Sequence, residues 1–278
     1  MTIFGTPVGV DGLDTGLATM GVNASLAAKS MYPWAAEVPK DLWYDYNLPY
    51  ASVNEARSDW RPYINSKIAP LVADLAKDPA TKISSVVDAV NSQMWTVLGG
   101  ADGPIWFKSQ STPLVFDPMS VMTYGYASCT GVSLLFVAAL KSVGVCARLA
   151  GTPMWHMNRA EGNHNWIEVW DVDTQQWAII EGEPSATGET ITDPCSVWFC
   201  NPNHFPDTAE NVTHVYAARF DRIDADTFYR MSWDPLNFEV PGVDRTEWYR
   251  ETCGQCTTSD AQAHHATRGS GERAGGHC

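Results

Sequence analysis

Cys129 lies in the segment Tyr124-Gly-Tyr-Ala-Ser-Cys-Thr-Gly-Val-Ser133, where a turn runs into a helical pattern. His164 follows thirty-five residues later in Gly162-Asn-His-Asn-Trp-Ile-Glu-Val-Trp170, a buried-strand pattern. A cysteine attacks as its thiolate, and an ordinary thiol, with a pKa of ~8.5, is mostly protonated at neutral pH. A helix starting at Cys129 would direct its unpaired backbone N–H groups and positive end at the sulfur. An adjacent His164 would take the proton. Ser128 is placed to cap that helix, and the Cys129 N–H could face a developing oxyanion. His164 in turn needs a group that holds its ring and tautomer. Side chains alternate along a strand, so Trp177, Ile179, Glu181 and Glu183 share a face and offer two carboxylates, Glu181 and Glu183. Asp171 and Asp173 read as hairpin residues, and Cys146, Cys195 and Cys200 as core cysteines.

The elements that must position these groups are legible from periodicity. Residues 1–100 read as mainly helical: Ile64, Ile68, Leu71, Val72 and Leu75 recur at helical spacing, with Pro70 implying a kink or fresh start. Ile83, Val86, Val87, Val90, Met94, Val97 and Leu98 repeat the pattern after the start signal Asp78-Pro79. The aromatic cluster Trp34, Trp43, Tyr44, Tyr46, Tyr50 and Trp60 reads as packing. Residues 99–123 read as loop, punctuated by Gly and Pro. From Cys129 a strongly amphipathic helix is expected, its stripe formed by Val132, Leu135, Phe136, Ala139, Leu140 and Val143, with Gly144 ending it. Strands are expected at 145–150, 164–170 and 176–181, with a hairpin at 171–175 and a further strand at 215–220. A helix followed by antiparallel strands gives an α+β layer.

The composition narrows the partners. Hydrophobic residues make up 45%, enough for a core without disulfides or metal. Eighteen Lys and Arg against 32 Asp and Glu give a net charge of −14. That balance argues against nucleic acid and membrane as partners. The longest apolar run, Leu134 to Leu140, is too short to span a bilayer. The N-terminus lacks a basic leader pattern, leaning the localisation toward cytoplasmic. Seven cysteines at irregular spacing do not read as a secreted disulfide framework, and Asn23-Ala-Ser and Asn211-Val-Thr carry no weight as glycosylation sites. Residues 253–278 contain no large apolar side chain and read as a disordered tail. Its Cys253, Cys256, His264, His265, His277 and Cys278 match no tight zinc spacing. No metal and no cofactor is expected, and no acidic loop with calcium-liganding spacing stands out.

The motif set resembles the transglutaminase-like superfamily of papain-type thiol enzymes. The resemblance is carried by Ser128-Cys-Thr-Gly131, Ala139-Leu-Lys-Ser-Val-Gly-Val-Cys-Ala-Arg148, His164-Asn-Trp-Ile-Glu-Val169 and Trp177-Ala-Ile-Ile-Glu181, within about sixty residues from Tyr124 to Pro184. Leu48-Pro-Tyr-Ala-Ser-Val-Asn-Glu55 with Trp60-Arg61 looks like the helical lead-in of some bacterial members. The resemblance implies a papain/transglutaminase-like core over 101–252, following a helical region over 1–100. It implies acyl transfer through a thioester on Cys129, with His164 moving protons. The substrate would be a peptide, a protein or a small acyl compound, and the acceptor water or an amine. The family's acid is usually an Asp followed by Pro, four positions after the strand Trp. Glu181 has the spacing, Glu183 has the Pro, and the Pro favours Glu183. An upstream Gln or Trp often completes the oxyanion hole in such enzymes, which makes Gln110, Trp106 and Gln93 candidates. The alternative reading is an inactive binding module on the same fold.

Overall fold

The computed structural model describes residues 2–3, 6–7, 15–185, 188–205 and 211–256. Its elements are helices α1 (Thr15–Met31), α2 (Pro33–Ala36), α3 (Lys40–Tyr46), α4 (Trp60–Val72), α5 (Ile83–Gly99), α6 (Pro118–Tyr124), α7 (Cys129–Ser142) and α8 (Thr246–Cys253). The strands are β1 (Thr2–Ile3), β2 (Thr6–Pro7), β3 (Trp106–Phe107), β4 (Tyr126–Ala127), β5 (Ala147–Thr152), β6 (His164–Asp171), β7 (Gln176–Ile180), β8 (Tyr216–Ala218) and β9 (Gly242–Asp244). The fold is α+β. Five antiparallel strands run in the order β7-β6-β5-β8-β9, and the two-residue strands β3 and β4 pair in parallel beside the start of α7.

Helix α7 is buried from Cys129 to Ser142 on every side, which corrects the amphipathic expectation. One side meets the sheet through Ile167, Val169 and Ile180. The other is covered by Ile64 and Ile68 of α4 and by Val87, Val90 and Met94 of α5. The N-terminal helices therefore share one core with the sheet, and the helical region is the second wall of α7. The aromatic cluster is packing at Trp34, Trp43, Tyr46, Tyr50 and Trp60, whereas Tyr44 is exposed. Pro70 lies inside α4, which continues to Val72. Gly144 follows α7 with φ +78°, the left-handed geometry that ends a helix.

A second apolar cluster fills the opposite face of the sheet with Trp155, Trp166, Phe199, Phe205 and Tyr249. This cluster corrects the reading of the cysteines. Cys195 pairs with Cys256 and Cys200 with Cys253 in disulfides, while Cys146 is a free buried thiol. Cys253 ends α8 and is buried, as is Cys256. The ordered chain thus runs past the tail boundary set at 253, and residues 257–278 lie outside the described residues. The stretch 99–123 is not all loop, since it contains β3 and α6. Asp117 caps α6 by accepting from the Ser120 N–H at 3.0 Å.

Candidate active site

Cys129 is the first residue of α7 and His164 the first of β6. The sheet register brings the residue after His164 to Cys129. Thr152 pairs with His164 and Gly151 with Asn165, so the entry of β6 lies beside the end of β5 and under the start of α7. The backbone N–H of Asn165, the residue after His164, donates to Cys129 Sγ at 3.3 Å, and its side-chain Nδ2 lies 3.6 Å from the same sulfur. That amide also donates to Thr130 Oγ1 at 2.9 Å, and its oxygen accepts from the Tyr229 hydroxyl. A Cβ on Gly151 would collide with Asn165 Oδ1 and the His164 carbonyl, so glycine is needed there for the approach. The Cys129 sulfur is held in a disulfide in this structure.

His164 projects to the other face of the sheet. Its Nε2 is paired with Glu181 Oε1. The second carboxylate oxygen of Glu181 accepts from Trp198 Nε1 at 3.0 Å, and its backbone N–H donates to Glu189 at 3.1 Å. Both His164 and Glu181 are buried, and the His164 ring is flanked by Trp198, Phe199 and Trp166 with centroids 5.2–5.7 Å away.

Of the two glutamates the sequence offered, with Glu183 preferred, the structure puts Glu181 on His164. Strand β7 ends at Ile180, so the alternation that put Glu183 on the face of Glu181 no longer applies beyond it. Gly182 tucks against Trp95 and Val132, where a Cβ would come within 2.6–2.7 Å of their side chains. The chain then turns, with Ser185 N–H on Gly182 O at 2.9 Å, and the Glu183 N–H goes to Asn91 Oδ1 at 3.0 Å. Glu183 is half-buried, and burial lifts its carboxyl above the ordinary value. Asp171 caps the hairpin, accepting from the Asp173 N–H at 2.8 Å, as expected.

Ser128 holds the cap position of α7, but its hydroxyl bonds to that of Thr112 and makes no capping bond. Among the oxyanion candidates, Gln93 is exposed and spends its amide on Ala89 O of its own helix at 3.3 Å. Trp106 is 65% exposed on β3. Gln110 lines a cleft of about 490 Å³ together with Thr112, whose hydroxyl meets that of Ser128, and with Gly162 and Asn163, which precede His164 in the chain. Of the three, Gln110 is the one that lines this cleft. Asn165, Trp198 and Glu189 were not singled out from the sequence. Asn165 sits in the motif beside His164, whereas nothing local marks Trp198 or Glu189, which reach Glu181 only through the fold.

Burial pushes the Cys146 thiol up to about 12, which makes it a core group. Burial also lowers His204, which stacks against Trp155, to about 4. Among the described residues no group of three or more His, Cys, Asp or Glu could hold a metal ion.

Residues 67–181 match the family model of the transglutaminase-like superfamily. Over this segment the chain is similar to the transglutaminase-like superfamily. The matched stretch starts within α4 and ends on Glu181, so it contains Cys129, His164 and the acid that meets His164. No curated protein matches the chain. A solved structure from Cytophaga hutchinsonii, described provisionally as a cysteine protease, is 13% identical, with 50% of this chain and 48% of that one covered and a TM-score of 0.30. The chain thus spans about half the length of that protein, a likeness too weak to carry function across. No helix among the described residues is long and apolar enough to cross a membrane.

Proposed function

We propose that this transglutaminase-like core is a cysteine-dependent acyl-transfer enzyme with Cys129 as nucleophile, His164 as proton carrier and Glu181 as the group that orients His164. The observation that carries the reading is the pairing of His164 Nε2 with Glu181, at a strand entry whose next N–H touches the Cys129 sulfur. A small-molecule dithiol opens the Cys129 disulfide by exchange and is itself oxidised to its disulfide, and His164 then takes the proton of the freed Cys129 thiol. The thiolate attacks an amide or ester carbonyl, and a C–S bond forms. The Cys129 N–H, with Gln110 on the cleft side, stabilises the oxyanion. Collapse breaks the C–N or C–O bond, and the imidazolium returns its proton to the leaving group. Water or an amine then attacks the thioester, loses its proton to His164 and frees the sulfur. The cleft selects the acceptor by what it admits. The two disulfides favour an oxidising compartment over the cytoplasmic one expected from the sequence.

The test is brief iodoacetamide labelling at mildly acidic pH after gentle reduction, with each cysteine followed by mass spectrometry. Cys129 is expected to react first, and His164→Ala to remove that lead. Uniform labelling, or a lead taken by another cysteine, sinks the assignment.

A further inference from the structure

We infer that the cleft lined by Thr112 and Asn163, which neighbour Ser128 and His164, takes an acyl substrate bearing a carboxylate, and that Arg230 is the residue that binds it. This inference rests on the thiol reading above and names its substrate class. The cleft, about 490 Å³, has the size of a small-ligand site. It is walled by Gln110 and Thr112, by Gly162 and Asn163 ahead of His164, and by Phe228 and Arg230. Arg230 is the one charged side chain among its described lining residues.

The setting of Arg230 points to an anion that arrives from outside. The chain carries a net charge of −14, and Arg148, Arg219 and Arg245 each meet a carboxylate within it. Arg230 meets none among the described residues, and its Nε is buried without a hydrogen-bond partner. A buried donor left unmatched is costly unless something completes it. The guanidinium is nevertheless held in place. Its carbon lies 4.5 Å over the Phe228 ring and 5.5 Å over the Tyr216 ring, and it hydrogen-bonds to the Tyr216 side chain. A fixed planar fork facing a cleft suits bidentate capture of a carboxylate.

The position also fits an acyl donor. Tyr229, next in the chain, is buried and donates to Asn165, whose amide touches the Cys129 sulfur. Arg230 thus follows in the chain a residue whose hydroxyl reaches the Asn165 side chain beside the Cys129 sulfur.

Two electrophiles of equal reactivity separate this inference from the thiol reading: N-chloroacetyl-β-alanine, an anion, and its neutral N-methylamide. In both, the Cys129 thiolate forms a C–S bond and expels chloride. The wild type, reduced and followed by mass spectrometry at Cys129, is expected to react about tenfold faster with the anion, the scale of one charge-assisted contact. That preference should shrink in about 0.5 M salt, where exposed charges are screened. Arg230→Gln should abolish it while leaving the neutral rate and the thermal melt unchanged, and Arg230→Lys should retain only part of it. Equal rates for the two probes in the wild type overturn the role of Arg230 and leave the thiol reading standing. A preference that survives in Arg230→Gln likewise overturns it. No reaction at Cys129 with either probe ends both readings. If Arg230→Gln does not fold, Arg230→Lys decides, and a preference as strong as in the wild type overturns the fork.

Discussion

Glu181 meets His164 because a strand repeats every two residues and β7 keeps that rhythm only as far as Ile180. One step on, Glu181 still falls on the face of Ile179, where His164 and Trp198 wait. Two more steps take the chain into a turn, and Glu183 leaves the face. An acid that orients a histidine stabilises the imidazolium and its tautomer, so Glu181→Gln should lower kcat by about 10²–10⁴-fold with KM little changed. Glu183→Gln should stay near the wild-type rate. A steady-state assay on both variants decides, and a collapsed Glu183→Gln beside an active Glu181→Gln would reverse the assignment. Both signals were in the sequence, the four-residue spacing from Trp177 and the proline at 184. Spacing along a strand is enforced by backbone geometry, whereas a proline marks only where the chain turns, and here it turns one residue after the strand has already ended its work. Asn165 was legible as a neighbour of His164 but not as a donor to sulfur, because that contact needs the register of β5 against β6.

The elements of the motif are joined by a buried ion pair. Arg148 of β5 stands opposite Glu168 of β6 in the register, and its Nε donates to Glu168 Oε2 at 2.7 Å. The other oxygen accepts from Arg245 Nε and from the Tyr249 hydroxyl, both at 3.0 Å. Arg148 also donates to Tyr46, so this cluster ties α3, the sheet and α8 together. Burial alone would raise the Glu168 carboxyl, but the charges of Arg148 and Arg245 outweigh it and hold the group below the ordinary carboxylate range. A depressed acid stabilises the fold above its unfolded pKa, and the contribution is lost as pH falls through the folded value. Glu168→Gln leaves two guanidiniums without their partner and should cost about 3–5 kcal/mol in denaturant unfolding at neutral pH. The deficit should narrow on acidification below the ordinary Glu range. A loss under 1 kcal/mol, or one that is flat with pH, contradicts this account. The strands themselves were readable from alternation, yet the surroundings of α7 were not. A stripe of apolar residues identifies one covered face, and only the packing of α4 and α5 reveals that the other side is covered as well.

At the scale of the molecule, the helical wall and the sheet close over charges as well as apolar groups. Lys141, at the end of α7, is buried, with its Nζ 3.4 Å from Ser52 Oγ. Arg61 packs beside it, donating to the Lys141 carbonyl at 3.1 Å, and Glu55 accepts the Ser52 and Val53 N–H groups nearby. The motif that resembled a helical lead-in supplies Glu55 and Arg61, so its charged residues serve this junction. The pairing of Cys195 with Cys256 and Cys200 with Cys253 stayed out of reach of the sequence, because the partners lie 61 and 53 residues apart and the core looked sufficient without them. Desolvation first, and then the Arg61 charge, lower Lys141 to about 7. Between that value and the ordinary lysine value of 10.5 the unfolded chain binds a proton that the folded chain does not. Stability must therefore rise with pH across this window, by at most about 1.4 kcal/mol per unit for this group. The Cys146 thiol, raised to about 12, acts in the opposite sense above its ordinary value of 9.0. Lys141→Met removes the first effect and keeps the second. The variant should be more stable than the wild type at pH 7 and below, where a charged ammonium is buried, and its advantage should shrink as pH rises from 7 toward 10. Subtracting the two urea unfolding curves at each pH cancels the thiol, and a difference that does not change between pH 7 and 9 would mean that Lys141 is not buried as a strained cation.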